Sequence, residues 1–277
     1  MLALGLGLIA ALCWGTHDLL VRRIAPGAQV LPQLAIVMVV ASLVTAPFGW
    51  TKPLPELVPL ALAVASGSAF FAASLALYSA FARAPASLVA PVIGAYPLPA
   101  LGFEVLQGHP VSGMEWLAAM LIVAGVAVVA ITGERESQRT DPAALPLAFI
   151  ACLGLATSFA LGQEAAARID PMHATSLARA GGAALALIVL ALWPKGIRAA
   201  LKRWPTLLAM GCLDGLALST VIAAGALAQA SYASVASSLF GVVTILLAWA
   251  IMGERVKLSQ GAGIALIFFG LGWLAWR

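Results

Sequence analysis

Ten predominantly apolar runs of about 20 residues follow one another along this chain, at 3–21, 30–49, 57–80, 86–106, 112–132, 143–163, 172–193, 206–228, 233–252 and 258–276. Hydrocarbon roughly 30 Å thick is crossed by about 20 residues of helix. There every backbone N–H and C=O must be bonded within the protein, which a helix achieves alone. Short polar or helix-breaking stretches separate the runs: Arg22-Arg23 with Pro26-Gly27, Thr51-Lys52-Pro53, Arg83-Ala84-Pro85, Gly108-His109-Pro110, Gly133-Glu134-Arg135, Asp170-Pro171, Pro194-Lys195-Gly196, Ala230-Ser231 and Gly253-Glu254-Arg255. None is long enough to hold a soluble domain. The expected fold is an all-α polytopic membrane protein with about ten transmembrane helices.

The composition points the same way. Hydrophobic residues make up 62% and charged residues 9%, against roughly 45–50% and 25% in soluble domains. So few charges cannot cover so large an apolar core in water. The net charge of +4 does not indicate nucleic acid, because the Lys and Arg residues lie mostly between the runs. Counted from the first inter-run loop, the odd loops hold eleven of them: Arg22, Arg23, Arg83, Arg135, Arg139, Lys195, Arg198, Lys202, Arg203, Arg255 and Lys257. The even loops and the C-terminus hold Lys52, Arg168 and Arg277. The positive-inside rule puts the odd loops in the cytoplasm and both termini outside. Cys13, Cys152 and Cys212 each sit in an apolar run with no CxxC or Cys/His spacing, and read as packing residues. Met1 to Gly15 has no basic leader and no clear cleavage site, so it reads as a retained first span.

The chain repeats itself. A shift of 141 places Ile9, Ala10, Leu12, Thr16 and Leu20 on Ile150, Ala151, Leu153, Thr157 and Leu161. A shift of 147 places Ala76, Ala86, Ser87 and Gly94 on Ala223, Ala233, Ser234 and Gly241. A shift of 145 places Gly108, Ile122 and Gly125 on Gly253, Ile267 and Gly270. The reading is two five-helix repeats, 1–132 and 143–277. Five is odd, so the second repeat enters the membrane inverted, an arrangement suited to alternating access around a midplane site.

Ala233-Ser234-Val235-Ala236, then Val242-Val243-Thr244, Gly253-Glu254-Arg255, Gln260, Gly263, Leu266-Ile267 and Gly270 resemble the C-terminal repeat of the EamA family, part of the drug/metabolite transporter superfamily. The first repeat matches through Trp14-Gly15, Ala86-Ser87-Leu88-Val89-Ala90-Pro91, Tyr96-Pro97, Gly108 and Gly125. It departs where the family carries Gly-Glu-Arg and this chain has Gly108-His109-Pro110, and the family's proline in span nine is absent. The resemblance implies ten helices in a bacterial inner membrane and transport of a small metabolite, often amino-acid export as in the YddG-type exporters. It also implies that many relatives keep both termini in the cytoplasm, opposite to the charge count.

Ionisable and aromatic groups inside spans are the candidate site, since an unpaired one in hydrocarbon is costly. Trp14, His17 and Asp18 share one face of the first helix, at i, i+3 and i+4. Tyr96 and Pro97 sit mid-span, and Pro97 frees a carbonyl one turn back; the resemblance places Tyr96 on the transport pathway. Arg179 and Asp214 lie deep in spans seven and eight, either pairing with each other or serving a substrate's carboxylate and amine. Glu104 reads as an interfacial charge. Tyr78, Thr157 and Ser158 offer hydroxyls, as substrate contacts or as interhelical bonds. The expected substrate contacts are Trp14, His17, Tyr78, Tyr96, Pro97, Thr157 and Ser158, with Asp18, Arg179 and Asp214 as structural or coupling charges.

No HExxH, GxSxG or phosphate-loop motif occurs. The expectation is a carrier and not an enzyme, with no metal or cofactor. Its partners are a small-molecule substrate and membrane lipid, not nucleic acid, and it works as a monomer or weak dimer. Competing readings are a carrier for a nucleoside, nucleotide sugar or amphipathic drug, and a membrane protein that transports nothing.

Overall fold

The structure, a computed structural model, describes residues 2–96, 98–99, 102, 112–134, 141–225, 237, 239–254 and 256–275. Among these residues run eleven α-helices: α1 (Leu2–Ile24), α2 (Val30–Thr45), α3 (Leu57–Phe81), α4 (Ala86–Gly94), α5 (Gly113–Glu134), α6 (Ala144–Ala166), α7 (Pro171–Leu192), α8 (Ile197–Leu201), α9 (Trp204–Gly225), α10 (Phe240–Met252) and α11 (Leu258–Ala275). All but α8 fall on the ten apolar runs. Among the described residues, four stretches can each cross a membrane by length and composition alone: Val30–Phe48, Leu57–Phe81, Ala144–Ala166 and Pro171–Leu192. Gly113–Gly125, Phe240–Met252 and Leu258–Gly270 are shorter apolar helices. The molecule is an all-α membrane protein built as two inverted five-helix repeats.

The helices depart from the runs for identifiable reasons. Pro47 lacks the N–H that would continue α2, so the helix tightens into a 3-10 turn at Ala46–Phe48. Gly196, at φ 84°, turns the chain into α8, a short helix that the Pro194-Lys195-Gly196 break conceals in the sequence. The fourth run was expected as one helix over 86–106, but α4 stops at Gly94. The carbonyl that Pro97 cannot bond belongs to Ile93, and the backbone N–H of Tyr96 takes it at 3.1 Å. It therefore needs no external partner. Pro97 itself, Glu104, Gly108-His109-Pro110 and Ala233-Ser234-Val235-Ala236 lie outside the described residues.

Described residues of all five odd loops meet at one end of the bundle. Arg22, near the end of α1, bonds Glu254 at 2.8 Å and the Phe81 carbonyl at 3.1 Å. The second carboxylate oxygen of Glu254 accepts the Ala86 N–H at 2.7 Å, occupying one of the free donors at the start of α4. Arg203 donates to the Ile24 carbonyl, and Arg83 pairs with Asp141 at 3.2 Å. At the opposite end, Lys52 pairs with Asp170, the N-cap of α7, at 2.8 Å. The Lys52 ammonium and the His173 N–H hold the Asp170 carboxyl below its ordinary pKa. Helix α1 thus runs toward the end from which α6 departs, which is the inversion that an odd helix count requires.

Glu254 closes three elements at once, and its side chain is mostly buried. Glu254→Gln is expected to lower stability by about 2 kcal/mol, the scale of a charge-assisted hydrogen bond. Thermal unfolding of the purified protein in detergent measures it; an unchanged midpoint would show the clamp to be ornamental.

Packing between the halves is reciprocal. α3 lies against α6 and α7, as α9 lies against α1 and α2. α1 touches α10 as α6 touches α4, and α5 pairs with α11. Small residues allow the approach: a Cβ on Gly67 would stand 1.8 Å from the Ala178 carbonyl oxygen and 2.8 Å from the Gly182 nitrogen. There α3 and α7 touch backbone to backbone. Outside, large apolar side chains such as Leu43, Ile150, Leu187 and Ile188 are exposed to lipid. Exposed tryptophans mark both ends: Trp50, Trp116 and Trp273 at the Asp170 end, and Trp193, Trp204 and Trp249 at the Arg22 end. The 22 residues of α7 between those ends span roughly 33 Å, close to the hydrocarbon thickness.

Candidate functional site

Trp14 is set apart from those six tryptophans. It is half-buried inside the bundle, against Ala10, Cys13 and Ala217, and its ring meets Phe240 edge-on at 6.3 Å. Its indole N–H reaches across from α1 to α9 and donates to Asp214 Oδ1 at 3.1 Å. Asp214 also receives Arg179 from α7, with Nη1 2.9 Å from Oδ2 and Nη2 3.2 Å from Oδ1. The Arg179 Cζ lies 4.1 Å from the centre of the Phe70 ring of α3, a cation–π contact. Arg179 is 4% and Asp214 5% exposed.

Three residues further along α1, His17 extends the polar network. Its Nδ1 lies 3.1 Å from Asp18 Oδ1 and its Nε2 lies 3.0 Å from Tyr78 Oη of α3. An ionised Asp18 can only accept, so Nδ1 then carries the proton. In neutral His17, Nε2 accepts the Tyr78 hydroxyl proton. His17 follows Trp14 by one turn on the same face of α1, which sets the two clusters side by side. Six polar residues from α1, α3, α7 and α9 therefore form one buried neighbourhood, contributed by both halves of the chain.

The other candidates have other partners. Tyr96 follows α4 in a turn, with its ring 5.1 Å from that of Phe159 on α6. Thr157 donates to the Leu153 carbonyl of its own helix at 2.9 Å. Ser158 and Ser66 exchange bonds, each hydroxyl donating to the other's backbone carbonyl at 2.9 Å and 2.8 Å. Those bonds tie α3 to α6. Phe70 and Phe240 escaped the sequence reading, because nothing local tells an aromatic facing a buried charge from one facing lipid. Among the described residues, no three His, Cys, Asp or Glu side chains converge as a metal site.

A set of interacting charges and aromatics, buried in apolar helices and drawn from both halves, is what a solute site between inverted repeats requires. The known proteins agree with that architecture. No curated protein matches this sequence. One solved structure, described only as a crystal structure of a protein, superposes with a TM-score of 0.64 over 98% of this chain and 96% of its own, at 17% identity. That likeness concerns the fold. The sequence profile of the EamA-like transporter family matches twice, over residues 1–131 and 142–276. The chain belongs to the EamA-like transporter family, as a multi-pass membrane protein of the transporter kind.

Proposed function

We propose that the protein is a secondary carrier that exports small metabolites, foremost amino acids, across a bacterial inner membrane by alternating access. In this reading 1–132 and 143–277 are the repeat units. The observation that carries it is the buried Trp14–Asp214–Arg179 network beside His17, Asp18 and Tyr78. A protein that only scaffolds has no use for so many ionisable groups in hydrocarbon. Arg179 is the one Lys or Arg deep in the bundle among the described residues, and Asp214 already opposes it. That favours a solute without a net phosphate charge over a nucleotide sugar. Counterflow of labelled amino acids in proteoliposomes tests the proposal, and failure to exchange any of them would overturn the amino-acid assignment.

Trp14 and Tyr96 are the aromatic members of the proposed pathway. Trp14→Ala and Tyr96→Ala are each expected to lower counterflow about tenfold, the equivalent of ~1.4 kcal/mol, with a smaller effect on thermal stability. Unchanged counterflow in the double variant would remove both from the pathway.

The charge count is expected to hold against the family's habit, with both termini outside. Cytoplasm-dependent and periplasm-dependent reporters fused at the C-terminus read the side directly. Activity of the cytoplasmic reporter alone would reverse the assignment.

A further inference from the structure

The guanidinium of Arg179 is only partly used. Its end-on edge faces Asp214, with Nη1 2.9 Å from Oδ2 and Nη2 3.2 Å from Oδ1. Nη1 is close enough for an ion pair but is not aligned for a hydrogen bond, and the buried Nε has no hydrogen-bond partner among the described residues. Buried donors almost always find acceptors, and one on a charged group is expensive to leave free. Nε and Nη2 form the second fork of a guanidinium, whose spacing suits the two oxygens of a carboxylate. Asp214, in turn, keeps a donor if Arg179 turns away, because Trp14 also bonds its Oδ1 at 3.1 Å.

Charge balance narrows the solute. The Arg179–Asp214 pair is neutral as a unit, and the neighbouring Asp18 has His17 as its own partner at 3.1 Å. A monocarboxylate bound by Arg179 would leave Asp214 without a cation, and an amine bound by Asp214 would leave Arg179 without an anion. Either outcome leaves an uncompensated charge in hydrocarbon. A zwitterion avoids both. Its carboxylate takes Arg179 while its ammonium takes Asp214, so two ion pairs replace one and no charge is left over.

We propose that Arg179 and Asp214 are the recognition pair of the transport site, holding each other when it is empty and exchanging partners with the carboxylate and ammonium of an α-amino acid. This rests on the transport reading above and specifies its substrate class and contacts. The test is ligand-induced stabilisation of the purified protein in nanodiscs, since binding to the folded state raises the unfolding midpoint. The probes are three matched sets: leucine with leucinol and 4-methylpentanoate, phenylalanine with phenylalaninol and 3-phenylpropanoate, and alanine with alaninol and propanoate. At least one amino acid is expected to stabilise the protein with an apparent affinity tenfold or more above its alcohol and its deaminated acid. The double variant Arg179→Met/Asp214→Leu, which removes both charges and leaves neither orphaned, is expected to fold and to lose that response. An alcohol or acid that binds as well as its amino acid, a response retained in the double variant, or no response to any probe would each overturn the recognition pair. Counterflow of a different solute in proteoliposomes would still uphold transport, whereas its absence for every solute would overturn the transport reading as well.

Discussion

Arg179→Met alone is expected to destabilise the protein by about 3–5 kcal/mol, Asp214→Leu by a similar amount, and the double variant by much less. Each single change strands one charge. With Arg179 gone, Asp214 keeps, among the described residues, only the Trp14 indole N–H as a partner. With Asp214 gone, a guanidinium 4% exposed retains, among the same residues, only the Phe70 ring. Removing both charges removes the desolvation problem along with the attraction. A double-mutant cycle on thermal stability in detergent should therefore show strong coupling between the two sites. Additive losses would mean that the two residues stabilise the fold independently, despite a separation of 2.9 Å.

Gly67→Ala is expected to be the most damaging single-methyl change in the bundle. The new Cβ would stand 1.8 Å from the Ala178 carbonyl oxygen, and both sides of that contact are backbone. No rotamer relieves it. The helices would have to part by about 1 Å or more, and overpacking of this kind costs on the order of 3 kcal/mol. The shift would also displace Arg179, the next residue after Ala178. Gly5→Ala serves as the control, because a Cβ there meets nothing within 4 Å, and it should be neutral or slightly stabilising. Equal midpoints for the two variants, measured by thermal unfolding, would show that α3 and α7 yield more easily than their contact implies.

Much of the fold is legible in the sequence because hydrocarbon imposes a length on every span and a penalty on every charge. Those two rules mark the ten runs, the odd-loop arginines and the unusual positions of Arg179 and Asp214. The same solvent hides the rest. In water an apolar stripe shows which face of a helix is buried, but here both lipid and core are apolar, so the inward face leaves little periodic trace. Thr157 and Ser158 are neighbours of similar chemistry; only the packing shows that Ser158 meets Ser66 on α3 while Thr157 bonds its own helix. The Trp14–Asp214 bond joins residues 200 positions apart. No local pattern encodes it. Arg179 and Asp214 were readable as a possible pair because consecutive antiparallel spans place them at similar depth. Tyr96 shows the limit of the same logic: the proline beside it announces a break, but not the side chain that the ring will meet.

The seam at Gly67 bears on how such a molecule can change shape. α3 is joined to α7 through backbone contact and to α6 through the exchanged serine bonds. Neither junction has side-chain slack to take up sliding. These three helices must therefore travel together, although α3 belongs to one half of the sequence and α6 and α7 to the other. The reciprocal packing makes α9, with α1 and α2, a second such block. If these two groups part, the division cuts through both repeats instead of running between them, with α2, which also packs on α7 through the Ser176–Thr45 bond, at the boundary. Arg179 stands on the first block, and Trp14 and Asp214 stand on the second, so the ion pair is a fastener across that division. Whatever takes Arg179 away from Asp214 removes a tie between the two blocks.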